Sequence, residues 1–152
     1  SGGRSTRRTQ LAQQTDEQVN LAETALGGLR NLACRAAERK TLIFDVGAAK
    51  TALRALEVFR SEDRAEEGEG VRQGSAALLR NLCTGQVEDL PARLAGIGAI
   101  ECAEAELGER SDASEEVRRH MLAVIQNLAM ALDARTEIFP EGMTERLGEL
   151  CS

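Results

Sequence analysis

The 152-residue chain has no Tyr or Trp, and its three Phe are Phe44, Phe59 and Phe139. A core without large rings must be built from Leu, Ala, Val and Ile, and β-branched residues are too sparse for a sandwich or barrel. The same scarcity removes the aromatic platforms on which nucleic-acid bases stack. A surplus of Lys and Arg is also missing: the net charge is −6, against the clustered positive charge that phosphate binding needs. No apolar run approaches the roughly 18 residues of a membrane span, so no direct membrane insertion is expected.

Catalytic raw material is short too. His120 is the only histidine, which rules out a His-pair metal site, and Cys34, Cys83, Cys102 and Cys151 include no Cys-x-x-Cys pair. Gly96-Ile97-Gly98 lacks the third glycine and the Lys-Ser/Thr partner of a phosphate loop, and it follows a helical pattern. The carboxylates read as helix-capping or loop residues, none flanked by apolar neighbours in the way a raised-pKa acid requires. We therefore expect no enzyme, cofactor, metal or small-molecule substrate. The cysteines sit among apolar helical residues and read as reduced, mostly buried core thiols. They point to a reducing compartment, cytoplasmic or nuclear, or an organellar interior.

What the chain does have is a repeat. Leu29-Arg30-Asn31-Leu32-Ala33, Leu79-Arg80-Asn81-Leu82-Cys83 and Ile125-Gln126-Asn127-Leu128-Ala129 each close an amphipathic helical pattern, and the Asn recurs after 50 and then 46 residues. Fifteen to seventeen residues beyond each Asn stands Gly47, Gly98 or Gly142, at a corner between a shorter and a longer helical segment. The pattern predicts helices over 15–34, 37–46, 49–59, 88–97, 99–107, 133–139 and 143–151, with further helices ending at Asn81 and Asn127. Thr15 and Gln18 form a capping box for the first, Pro91 suits a first helical turn, and Pro140 stops a short helix. A period in the 40s with this order is the signature of a helical solenoid, whose units bury their apolar faces by stacking.

The Asn-Leu helix ends, with the corners Ile43-Phe44-Asp45-Val46-Gly47-Ala48, Leu94-Ala95-Gly96-Ile97-Gly98-Ala99-Ile100 and, more loosely, Ile138-Phe139-Pro140-Glu141-Gly142-Met143, resemble the armadillo repeat family over residues 15–152. The resemblance implies an all-α, right-handed α-α superhelix of about eight helices in roughly three repeats. It comprises a third helix at 15–34, repeats at 36–83 and 86–131, and a partial repeat at 133–152. It also implies a non-enzymatic interaction module. In peptide-holding members the third helices line a concave groove, and a ladder of Asn amides, donor and acceptor at once, pairs with a peptide backbone.

By that resemblance Asn31, Asn81 and Asn127 are the ladder, and Glu23, Thr24, Arg30, Gln73, Gly74, Arg80, Arg119 and His120 complete the strip. The competing reading of each Asn is a bond to a neighbouring helix end. Nuclear-import members carry Trp four residues before the Asn; here Gly27, Ala77 and Ala123 stand there, so a basic localisation peptide is not the expected ligand. The expected partner is a protein or an extended or helical peptide. The alternative is a small structural or linker subunit embedded in a larger, organellar or membrane-associated complex.

Two segments depart from the repeat. Residues 61–70 carry Glu62, Asp63, Glu66, Glu67 and Glu69 against Arg64 alone, the composition of a solvated loop. Residues 1–14 hold three Arg and no acid, and read as a flexible tail or a processed presequence end. At the other end, Leu147 and Leu150 give the last helix an apolar flank.

Overall fold

A computed structural model describes residues 2–34, 36–60, 66–85 and 87–132. Seven helices and no strand occur among them: α1 (Gly2–Ala33), α2 (Ala37–Asp45), α3 (Ala48–Phe59), α4 (Glu69–Cys83), α5 (Leu90–Gly96), α6 (Ala99–Leu107) and α7 (Glu115–Leu132). The count is seven where about eight were expected. The partial repeat 133–152, with Gly142, Pro140, Leu147, Leu150 and Cys151, lies outside the described residues, as do residues 61–65 of the acidic loop.

The corners follow from backbone chemistry. Gly47 and Gly98 take φ of 87° and 99°, a left-handed conformation that costs an L side chain roughly 1–2 kcal/mol, and each starts the helix that follows. Pro91 lies in the first turn of α5, where its missing N–H has no intrahelical acceptor to lose. Ser114 opens α7: its Oγ accepts the Val117 N–H at 3.3 Å, and Glu115 and Glu116 follow in the positive first turn.

The first helix is longer than the sequence pattern indicates. Instead of starting at a Thr15 capping box after a tail, α1 runs back to Gly2, and Thr15 and Gln18 lie in its interior. A Thr-x-x-Gln pair marks an N-terminus only where the chain before it resists helix, and residues 4–14 contain no Pro or Gly. Residues 6–10 are exposed, whereas Leu26 and Ala33 farther along α1 are buried.

α4 lies between α1 and α7, so the three helices that end in the Asn-Leu motif form one row. Helix α3 backs α4 and also meets α6, which backs α7; α2 packs on α1 and α3, and α5 on α4, α6 and α7. One continuous core of Leu, Ile, Val and Ala runs through all seven helices, including Leu56, Leu78, Leu79, Leu94, Ile125 and Leu128. The three copies of the motif thus stand on neighbouring helices. None of the helices among the described residues is long and apolar enough to cross a membrane.

Candidate functional site

The strip expected to bind a partner lies along the row α1–α4–α7, and the structure sorts its members by what each already holds. Asn81 is engaged: its Nδ2 donates to the Arg30 carbonyl at 3.0 Å and to Cys34 Sγ at 3.1 Å. The last carbonyls of a helix have no intrahelical partner, and Asn81 satisfies one at the end of α1. At this position the amide nitrogen serves the neighbouring helix end, the competing reading of the motif. Asn31 is exposed and Asn127 half-buried.

Four polar members are occupied locally. Thr24 Oγ1 donates to the Asn20 carbonyl at 2.9 Å, Gln73 Nε2 to Glu69 at 3.0 Å, and Arg119 Nη2 to Glu115 at 2.8 Å. Glu23 rests over Gly70 in the first turn of α4, where any side chain at position 70 would overlap it, and its charge meets the positive end of that helix. Gly74 lets α1 approach as closely: a Cβ there would stand 3.1 Å from Leu26 Cβ.

Arg80 and His120 meet across α4 and α7, with Arg80 Nη1 3.4 Å from His120 Nδ1, while His120 Nε2 lies 3.9 Å from Glu116. Burial lowers the His120 pKa from its ordinary 6.5; Arg80, Arg30 and Arg119 lower it further, and Glu116 opposes them. The folded chain then binds fewer protons than the unfolded one near that pH. Stability should fall as pH drops from about 7.5 through 6.5, and level off below the folded-state pKa. Urea midpoints across this range, compared with His120→Gln, test the point; an equal slope in the variant would clear His120 of any part in it.

Arg30 and Arg80 are exposed on the same row. Four residues before the motif Asn, Gly27 opens onto free space and Ala77 is buried. The strip coincides with neither of two concavities elsewhere. One, of about 600 Å³, runs between α3 and α6 past Lys50, Arg54, Glu57 and Glu101. The other, of about 450 Å³, lies between α2 and α5 past Glu38, Glu88 and Arg93.

The thiols divide. Cys83 is buried and Cys102 half-buried, and burial pushes their pKa values up to about 12 and about 11, leaving both protonated and poor nucleophiles at neutral pH. Cys34, expected in the core, is exposed at the end of α1, because α1 stops at Ala33 and the chain turns away. Among the described residues no group of three or more His, Cys, Asp and Glu is placed to hold a metal ion.

Three charged groups are buried, among them Glu106, a carboxylate expected in a cap or loop. Lys40 donates from Nζ to the Thr84 carbonyl at the end of α4, and burial lowers its pKa. Arg72 and Glu106 are both fully buried and bonded to each other at 2.7 Å. Arg60 holds the other Glu106 oxygen at 2.8 Å, and Arg72 Nη1 stands 3.1 Å from Asp112. Burial opposes the Arg72 charge, yet Glu106 and Asp112 outweigh it and raise the guanidinium pKa. Arg118 adds three contacts to the carbonyls ending α6, the shortest 2.8 Å to Leu107. A signal for this network was present: Ala99, Ala103 and Glu106 share one face of α6, and Arg72, Ser75 and Leu79 one face of α4.

No family model, no curated protein and no solved structure matches the chain.

Proposed function

We propose that the chain is an armadillo-type, non-catalytic interaction module that holds an extended segment of a partner protein across the row α1–α4–α7. One observation carries the reading: helices ending in the same Asn-Leu motif stand side by side, with Arg30, Asn31, Arg80, His120 and Asn127 on adjacent members. Helix axes 8–10 Å apart match about three residues of extended chain, so one peptide would meet a new helix every third residue. Amides then serve the peptide backbone, and the arginines select among side chains.

The test begins with a library of extended peptides displayed against the intact chain. Asn31→Ala with Asn127→Ala should weaken a selected peptide by tenfold or more, about 1.4 kcal/mol, as expected for the loss of one or two hydrogen bonds. Asn81→Ala should lower the stability of the chain more than it lowers affinity, since Asn81 bonds α1. Affinity unchanged in the double variant would remove the amides from the interface, and a library without binders would remove the groove.

A further inference from the structure

The repeat permits a comparison of each apolar position with its counterparts, and the first copy breaks the pattern. Val71 and Val117 occupy the same place in α4 and α7, as do Leu82 and Leu128, and these four are 2%, 0%, 1% and 1% exposed. Their counterparts in α1, Leu21 and Leu32, are 70% and 50% exposed. The difference has a structural cause: α4 is backed by α3 and α7 by α6, whereas among the described residues no helix backs α1 in the same way.

On the shorter helices the counterpart of an exposed leucine is an exposed arginine that reaches the preceding unit. Arg93, five residues before the corner Gly98, reaches back to the preceding unit, 2.5 Å from Asp45 and with its guanidinium 4.4 Å from the centre of the Phe44 ring. Leu42, five residues before Gly47, stands in the equivalent place on α2 and is 62% exposed. Among the described residues both places, behind α1 and beside α2, are open, and the unit that fills the corresponding places elsewhere in the fold is a short helix followed by a longer one.

We infer that Leu21 and Leu32 of α1, with Leu42 of α2, form a docking face for a partner's helix pair built like α2–α3. Its longer helix presents small and aliphatic residues in the manner of Ala52 and Leu56, which are buried in α3. The α1 part of the face continues an interface the fold makes twice, α3 on α4 and α6 on α7, so its occupant is an apolar helical edge. It is separate from the polar row proposed to hold a peptide, and either can stand without the other.

The probe is the chain's own repeat. A copy of residues 36–70 is joined directly ahead of Leu21 in place of residues 1–20, and a second version uses residues 87–116, which precede Val117 in the same register. The extended chains should unfold at higher denaturant than the intact chain. Leu32→Asp should shift the unfolding equilibrium less than about tenfold in the intact chain and roughly a hundredfold or more in the extended ones. Two extended chains less stable than the intact one, or equally indifferent to Leu32→Asp, would overturn the inference. So would an intact chain that self-associates in sedimentation and becomes monomeric with Leu21→Asp, since the occupant would then be a second copy.

Discussion

Glu106→Ala is expected to cost about 3–5 kcal/mol, a large part of the 5–15 kcal/mol that holds an ordinary domain together. The reason is the guanidinium it abandons. Arg72 is fully buried; without Glu106 its remaining carboxylate is the partly exposed Asp112, and its Nε has no acceptor among the described residues. Arg60 loses its partner too, but it is 30% exposed and can turn to water. An Arg cannot escape by deprotonation, so the buried charge must be rehydrated or the surrounding helices must part. The double variant Arg72→Met with Glu106→Leu should recover most of the loss, because removing both ions abolishes the desolvation that their pairing offsets. Chemical denaturation of the three chains checks this, and a Glu106→Ala protein within about 1 kcal/mol of the parent would show that water reaches Arg72.

That network also marks where the sequence stops being legible. The corners were readable because a single residue type answers a single backbone demand: Gly47 and Gly98 take the positive φ that their spacing from the Asn-Leu motif implied. Helix ends near them fall within one or two residues of the pattern, as with α3 and α6. By contrast, Arg72 and Glu106 are 34 residues apart, and periodicity places each on an apolar face without naming the other. Read alone, a charge in such a register looks like a cap or a loop neighbour. The start of α1 failed for a different reason: a cap motif inside a run of helix formers carries no stop. In the candidate strip, the sequence identified three equivalent Asn but could not tell that Asn81 closes the end of α1. That bond depends on the distance between helices, which repeat spacing alone does not specify.

Leu79→Ala should be the costliest single truncation in the row, near the upper end of the 2–5 kcal/mol range for buried leucines, and Leu29→Ala near or below its lower end. The two residues stand in the same place of successive copies, two before Asn81 and two before Asn31, so the chemistry removed is identical. Their surroundings differ: Leu79 is fully buried, while Leu29 is half-buried at the edge of the core. A cavity's cost depends on how far its walls can relax. Helix α4 is held by α1, α3, α5 and α7 at once, so the walls around Leu79 have little room to collapse, whereas α1 meets only α4 and α2 among its larger contacts. The position also decides what unfolds together. Helices α1 and α7 communicate chiefly through α4, so a lesion there weakens both stacking interfaces, while one in α1 weakens an end. Amide exchange should therefore show Leu29→Ala releasing α1 alone and Leu79→Ala lowering protection in α1, α4 and α7 together. Equal and local effects from both variants would mean that the row is not a stack in which each helix depends on its neighbour.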